Sequence, residues 1–545
     1  MPDLVTSPNG SSEVSTNGSI PVPALEFELL ITLGILLALL MGALDNFVVL
    51  TVLTTNILPE FGQASSSGTF VISAYVIAST AAIPIFAKLS DLWSRRNVFL
   101  GGLAVFIAGS VLSGLSQNLP ELILFRGVQG FGSGGFFPVG IAIVAVVFPP
   151  ATRARVIGAL SGVFGIAVVA GPLLGSAIVS FTTWRWVFYV NIPIGVAGFV
   201  LIAATLGPLR PARVRPFDTA GTALLVGWVT AVMFPLYQIA DGGWTWTDPR
   251  VLALLGLGGL LIVVFVFWEL RAENPLVPIQ LFTHRVMAAG GGATFFIGTV
   301  FFPVATFLVF VVGLALAPGS TGSSETTRDI LYFLIIPLVF GAALGGQLLT
   351  RLPYRVVSVV GLIIAMIGMA GLTQLSDTTP LWKFMFVVIP VGGVVLPLIP
   401  LGFGVGLTFP VFLLAAQNQV GKLDVGEAGG LIQFLQSLGG AVGLSVLASF
   451  EQTRFTALDP SPSPACSTLP PPFPQCANYL AAFPHSLITA YDQTFAVMFG
   501  LLTIALVFSI FLKGSLPKVA SKGSDLSAGR GSTVPAPETA PDPPD

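Results

Sequence analysis

Charge is what this chain of 545 residues has least of. Asp, Glu, Lys and Arg together make up 9% of it, against roughly 25% in ordinary soluble domains. So few charges cannot solvate the surface of a soluble protein this long. With 54% hydrophobic residues and a mean hydropathy of +0.91, the chain reads as an integral membrane protein. Basic residues number 23 and acidic ones 25, a net charge of −2; there is no basic excess to neutralise phosphates, which excludes nucleic acid as a partner. Histidine and cysteine occur only twice each, and the apolar segments hold no clustered His or Cys and no paired carboxylates. A metal site and an enzymatic centre are therefore not expected. No segment of the form G-x-x-x-x-G-K-[ST] is present, so nucleotide is not the expected energy source and no cofactor is implied. Residues 1–28 contain no Lys or Arg and are rich in Ser, Thr, Asn, Gly and Pro, so they read as a disordered tail without a cleavable signal or basic targeting helix. The sequons at Asn9 and Asn17 matter only if that tail is lumenal.

Apolar runs, by contrast, recur almost throughout. We count fourteen spans at 29–52, 68–88, 98–117, 122–147, 157–180, 186–206, 218–240, 250–268, 287–312, 329–350, 356–375, 384–415, 428–449 and 489–512, each near or above the ~20 residues that cross a bilayer as a helix. The span 384–415 is long and carries Pro390, Pro397, Pro400 and Pro410, which suggests one tilted, kinked helix. With the N-terminus in the cytoplasm, 17 of the 23 Lys and Arg fall in cytoplasmic loops and the C-terminal tail and 5 in opposite loops, with Arg126 left inside a span. Short cytoplasmic loops are the ones that collect Lys and Arg, so both the even count and the orientation follow. Both termini are then cytoplasmic.

The densest of those loops, Ala87–Leu100 (AKLSDLWSRRNVFL), lies between apolar runs and gathers Lys88, Asp91, Arg95 and Arg96. It resembles the signature loop of the major facilitator superfamily, G-x-L-a-D-r-x-G-R-K, at Leu89, Asp91, Arg95 and Arg96, with Ala87 and Ser94 where the family prefers glycine. An echo follows the tenth span, where Gly346, Leu348 and Arg355 align with Ala87, Leu89 and Arg96, and Thr350 replaces Asp91. The resemblance implies an all-α membrane protein of the major facilitator fold, with two six-helix bundles and two inserted helices. We divide the chain into a disordered N-tail (1–28), an N-terminal bundle (29–209), a linker with spans 7 and 8 (210–285), a C-terminal bundle (286–512) with an extracytosolic loop at 450–487, and a disordered C-tail (513–545).

Asp45 lies in the first span, in LLMGALDNFVVLTVL. A carboxylate at that depth costs several kcal/mol unless it is protonated, paired or facing water, so it is the candidate proton site; packing against a neighbouring helix is the alternative. The stretch resembles L-D-x-T-I-V-x-T-A-L-P of drug:proton antiporters with fourteen spans, departing at Phe47 and Thr54. Arg126, in LILFRGVQGFGSGG, resembles R-x-x-Q-G at Arg126, Gln129 and Gly130, an arginine the family links to proton coupling; snorkelling to the interface near Asn118 and Glu121 is the alternative. Gly130–Gly135 also matches G-x-G-x-x-G, but no βαβ unit surrounds it and small residues in lipid serve close helix packing. Gly171, Pro172 and Gly175 resemble the antiporter motif, which implies export. Trp184–Gly195 (WRWVFYVNIPIG) resembles a segment of the fourteen-span branch at nearly every position, and its own chemistry reads as interfacial anchoring. Phe217–Gly221, Glu273–Phe282, Gly402–Pro410 and Phe434–Gly443 extend the resemblance to about residue 450, in the manner of fungal toxin and drug exporters.

Within the C-terminal bundle, Gln433 and Gln436 are the polar points of an otherwise apolar candidate cavity; a helix–helix hydrogen bond is the alternative for each. In the family the signature loop latches the two halves together on the cytoplasmic side, here through Asp91 with Arg95 or the end of a helix from the opposite half. Cys466 and Cys476 share a Pro-rich loop outside the cytosol, where disulfides persist, and we expect them to pair. The resemblance implies a monomeric, proton-coupled exporter of small amphipathic or apolar compounds, with a small molecule, protons and the bilayer as its partners. A vacuolar transporter of basic amino acids shares the architecture but calls for more acidic residues facing the cavity. A membrane receptor is the alternative outside transport. Plasma membrane is the expected location, vacuolar membrane the alternative.

Overall fold

A computed structural model describes residues 25–63, 68–207, 216–240, 243–310, 323–374, 382–384, 387–389, 392–420, 425–458 and 474–514. The chain runs through helices α1 (Leu25–Val52), α2 (Gly68–Leu92), α3 (Arg95–Leu115), α4 (Leu119–Ser133), α5 (Phe136–Val147), α6 (Pro150–Phe181), α7 (Trp186–Tyr189) and α8 (Asn191–Thr205). It continues through α9 (Thr219–Ala240), α10 (Pro249–Glu269), α11 (Arg285–Phe310), α12 (Ser323–Leu348) and α13 (Tyr354–Leu372). A hairpin of strands β1 (Trp382–Phe384) and β2 (Val387–Ile389) precedes α14 (Gly392–Gln417), α15 (Val425–Leu458) and α16 (Pro474–Ile510). Among the described residues twelve helical stretches are long and apolar enough to cross a membrane. Helices α6 and α12, of 32 and 26 residues, stand where the fifth and tenth spans are expected. The protein is thus a multi-pass, almost wholly helical membrane protein.

Helix partners repeat between the halves. In the first, α1 packs on α6 and α8, while α2 and α3 both pack on α4; in the second, α11 packs on α15 and α16, while α12 and α13 both pack on α14. Across the seam α6 meets α12 and α2 meets α15, again equivalent positions. The short sequence echo of the signature loop therefore reflects a repeat of the whole packing scheme. Helices α9 and α10 pack on each other, and α9 also touches both α2 and α15, so the inserted pair lies along the seam. Helix α10 turns Leu252, Leu257, Leu260, Val263 and Phe267 outward. Only 17% of its apolar window is buried, as suits a helix facing lipid.

Several expected boundaries need correction. The twelfth span does not begin at 384: a hairpin of two three-residue strands occupies that stretch and the helix starts at Gly392. Ile389 precedes Pro390, and the residue before a proline is held to extended geometry. The helix itself carries Pro397, Pro400 and Pro410. The fourth span stands as one apolar stretch, Leu119–Val147, built of the two helices α4 and α5 with a break at Gly134–Gly135. The segment 450–487 is not all loop, because α15 runs to Leu458 and α16 starts at Pro474. The charged stretch Ala87–Leu100 is mostly helix, with only Trp93 and Ser94 between α2 and α3. Where the fourteen-span motif has its proline, Thr54 stands instead, and the chain continues as a π-helix over Leu53–Ile57 before Pro59 starts one further turn. A backbone N–H at position 54 allows that continuation. Most of both tails and Cys466 lie outside the described residues, as does the side chain of Cys476, so the pairing of these cysteines falls outside them too.

Candidate functional site

Helix α4 starts cleanly because Asn118 and Glu121 cap it reciprocally. The Glu121 N–H donates to Asn118 Oδ1 at 3.0 Å and Asn118 Nδ2 donates to Glu121 Oε1 at 2.7 Å, a capping box with Pro120 in the first turn. These two residues are thereby occupied at the helix end, and Arg126, two turns on, points inward with no exposed surface. It does not snorkel.

Two close approaches bring the neighbours in. A Cβ at Gly109 of α3 would lie 2.6 Å from the backbone nitrogen of Gln129, and one at Gly130 of α4 would overlap the Tyr75 carbonyl of α2. Absence of side chains at both lets three helices converge on one buried cluster. At its centre Asp45, 1% exposed, forms an ion pair through Oδ2 with Arg126 Nη1. Its Oδ1 accepts from Gln129 Nε2 at 2.8 Å and from Asn191 Nδ2 at 2.7 Å. Ser110 Oγ accepts from both amides, at 3.1 and 3.0 Å, and donates to the Phe188 carbonyl at 2.9 Å. Arg126 Nη1 also donates to Gln129 Oε1 at 2.8 Å. The guanidinium lies 4.1 Å from the centre of the Tyr75 ring, whose hydroxyl donates to the Gly42 carbonyl at 2.9 Å. Arg126 Nε and Nη2 have no hydrogen-bond partner among the described residues. The carboxylate is well served by donors and the cation is under-served, an arrangement sensitive to one proton on Asp45.

Gly171 and Gly175 belong to the same machinery by packing. A Cβ at Gly171 would overlap Phe47, and one at Gly175 would stand 3.1 Å from the Val48 carbonyl, so α6 presses on α1 just beyond Asp45. On the other side of α6, a Cβ at Gly158 would come within 2.9 Å of the Ala342 carbonyl in α12. The helix carrying Pro172 thus links the carboxylate helix to the opposite half.

The second cluster closes the basic face between the halves. Lys88 Nζ and Glu427 Oε1 are 2.7 Å apart, and Asp91 Oδ1 accepts from Arg95 Nη2 at 3.0 Å. Asp91 Oδ2 accepts the Glu427 N–H at 3.2 Å in the first turn of α15, where the positive helix end favours an anion. A Cβ at Gly426 would lie 3.0 Å from Asp91 Oδ1, so the bare glycine lets the carboxylate sit close against the helix start. Both partners expected for Asp91 are found. Lys88, Asp91 and Arg95 are buried; none is a solvated surface charge. Arg96 turns aside and donates to the Ala203 carbonyl at 2.8 Å.

Gln433 and Gln436 line a narrow cleft with Phe137, Thr408, Phe409 and Phe412, whose free volume of about 20 Å³ is room for a water rather than a drug-sized ligand. Phe137 comes from the first half and the rest from the second, so the cleft spans the seam. Among the described residues no acidic or basic one lines it. On the face opposite the basic loops, Glu60 accepts from Trp184 Nε1 and pairs with Arg185, each at 2.6 Å. The Arg185 guanidinium holds the Glu60 carboxyl below its usual range against the opposing effect of partial burial.

Sequence reasoning assigned no site role to Ser110, Gln129, Asn191, Tyr75, Lys88, Glu427 or Glu269. Asn191 was open to discovery as an amide inside the apolar start of a span. Glu427 was a carboxylate beginning one. Among the acids Asp91 and Glu269 are buried as well as Asp45. Among the described residues no group of His, Cys, Asp and Glu forms a metal site.

Comparison with known proteins places this geometry. The family described as Major Facilitator Superfamily matches residues 35–444. Multidrug resistance protein 3 of Bacillus subtilis is 32% identical over 429 residues, covering 78% of this chain and 80% of its own. Efflux pump aflT of Aspergillus parasiticus is 31% identical over 439 residues, with 78% and 82% covered. Among solved structures, the human organic anion transporter MFSD10 aligns at a TM-score of 0.58 and 15% identity over 87% of this chain and 99% of its own. At that identity the likeness speaks for the fold alone.

Proposed function

Since the chain belongs to the Major Facilitator Superfamily, a family of transporters rather than enzymes, we propose that it exports small amphipathic or apolar compounds in exchange for protons by alternating access. Drugs, toxins and secondary metabolites are the substrate class we propose; the names of its relatives speak of multidrug resistance and of efflux. The observation that carries the proposal is the sealed Asp45–Arg126 pair, joined through α6 to the other half.

A proton on Asp45 neutralises the carboxylate and leaves Arg126 with the Gln129 side-chain oxygen and the Tyr75 and Phe188 rings as its remaining partners. A cation so placed in low dielectric is unstable. Helices α1 and α4 then shift, and α6 passes the movement of α1 to α12. On the basic face, which we assign to the cytoplasm from the Lys/Arg bias, the Lys88–Glu427 and Asp91 contacts hold the halves together. The conformation described is accordingly the one closed to the cytoplasm. Substrate meets Gln433 and Gln436 when the narrow cleft beside them widens during the cycle, where the aromatic lining favours apolar bodies and the amides orient polar groups. The absence of acids from that lining disfavours a transporter of basic amino acids. We further propose fourteen spans, with α6 and α12 crossing alongside the twelve, both termini cytoplasmic, a monomeric state and residence in the plasma membrane.

The direct test is flux in inverted vesicles. An imposed pH gradient drives accumulation of lipophilic dyes, and collapse of the gradient with an ionophore stops it. Accumulation that survives the ionophore, or that requires ATP, refutes proton exchange.

A further inference from the structure

One buried amide has no place in the mechanism above. Gln417 closes α14 and is 2% exposed, yet neither its Nε2 nor its Oε1 has a hydrogen-bond partner among the described residues. Asn418 beside it is served, since its Nδ2 donates to the Tyr354 hydroxyl. Around Gln417 the halves meet through bare glycines of α15. A Cβ at Gly429 would stand 3.2 Å from Gln417 Nε2, 3.4 Å from Leu413 Cδ1 and 3.7 Å from Ile141 Cγ2 of α5. A Cβ at Gly430 would come within 2.6 Å of the Ala87 methyl in α2. These glycines draw the start of α15 onto the first half and enclose the amide at the seam. The cleft is the next layer. Leu413, one turn before Gln417 on α14, lines it, and so does Ile432, three residues after Gly429 on α15. Gln417 therefore lies between the cleft and the Lys88–Glu427 pair, on the way a compound takes from the basic face.

An amide buried with both ends unserved is unfavourable, and a leucine of similar volume would spare the closed state that penalty. Opening the basic face parts α2 and α5 from α14 and α15 and uncovers Gln417, whose donor and acceptor then meet whatever enters. We propose that Gln417 is the first polar contact for substrate arriving from the basic face, ahead of Gln433 and Gln436, and that it selects compounds carrying a carbonyl, hydroxyl or amide on an apolar body. Its Nε2 donates to such a group and its Oε1 accepts from one. A purely apolar compound leaves both unserved, which is how a polar site discriminates. The inference rests on the export reading of the adjoining cleft and extends it to the mouth on the basic face.

Equilibrium binding to the full chain in nanodiscs, with no pH gradient, tests it on two naphthalene fluorophores that differ only in bearing a carboxamide or an isopropyl group. Gln417→Leu is expected to weaken binding of the carboxamide relative to the isopropyl compound by about 3- to 10-fold, the worth of one neutral hydrogen bond. In vesicles the same variant should raise KM for the carboxamide and leave kcat unchanged, as loss of uniform binding does. If Gln417 only shapes packing or the balance between states, both compounds shift together; an unchanged ratio of affinities overturns the proposal. Should Gln417→Leu misfold, Gln417→Met is read by the same ratio. Both replacements remove an unserved buried amide, so each should fold at least as stably as the wild type, and failure of both shows the amide to be partnered and the proposal wrong. A wild type that binds neither compound refutes the export reading and this inference with it. A wild type that binds them with a ratio unaltered in Gln417→Leu refutes the role of Gln417 alone.

Discussion

Replacing Asp45 with asparagine removes one charge and almost no volume, so its consequences follow from the partners around it. Asn offers one acceptor oxygen where Asp45 offers two, and its amide is a donor. If that oxygen keeps the Gln129 and Asn191 bonds, the amide confronts Arg126 Nη1, itself a donor. Arg126 then keeps Gln129 Oε1 and the Tyr75 ring, with Nε and Nη2 already unserved. Breaking a buried pair from one side costs about 3–5 kcal/mol, and the surviving Gln129, Tyr75 and Phe188 contacts place this site near the lower figure. Asp45→Asn should therefore lower stability by ~3 kcal/mol. Asp45→Asn combined with Arg126→Gln should recover most of that loss, because no uncompensated charge remains. Transport driven by the pH gradient should be absent from Asp45→Asn, from Arg126→Gln and from the two combined, whereas downhill equilibration of dye persists in the folded ones. The checks are unfolding in detergent for the double-mutant cycle and vesicle flux with and without a gradient. A coupling energy below ~1 kcal/mol, the range of exposed pairs, refutes the buried-pair account. Uphill flux in Asp45→Asn removes the residue from the mechanism.

Asp91→Asn weakens the contact with the first turn of α15 and the pair with Arg95, so the inward-open population should rise within the ~5- to 150-fold range of typical coupling while transport slows; unchanged spin-label distances across the basic face count against the latch. Gly130→Ala drives a methyl into the Tyr75 carbonyl, and overpacking of this kind costs about 1–3 kcal/mol, so thermal unfolding should come earlier, whereas Gly127→Ala, whose Cβ meets nothing within 4 Å, should leave it unchanged. Cys466 and Cys476 should resist an impermeant thiol reagent until reduced, and a bridge closing so short a segment contributes ~2–3 kcal/mol locally; labelling without reduction shows that it is absent.

Membrane insertion, the approximate spans and the family were legible in the sequence because they depend on properties that add along the chain. Apolar length decides what crosses a bilayer, and Lys/Arg bias indicates which way it faces, wherever the helices finally pack. Asp45 and Arg126 stood out for the same reason, since a charge inside an apolar run is conspicuous before any partner is known. The partners were another matter. Asn191 sits 146 residues from Asp45 and Glu427 339 residues from Lys88, and nothing in the apolar patterns around them states which helices will touch. That choice was made by small residues such as Gly109, Gly130 and Gly171, which set interhelical distances through what they lack. Composition shows glycine to be plentiful, but only packing shows which backbone each one admits. The helix start at Gly392, the break between α4 and α5 and the burial of Glu269 likewise arise from contacts between distant segments. The sequence determined which residues enter the membrane and which charges go with them; tertiary structure decided their pairing, because a buried charge takes its partner from whatever helix packs beside it.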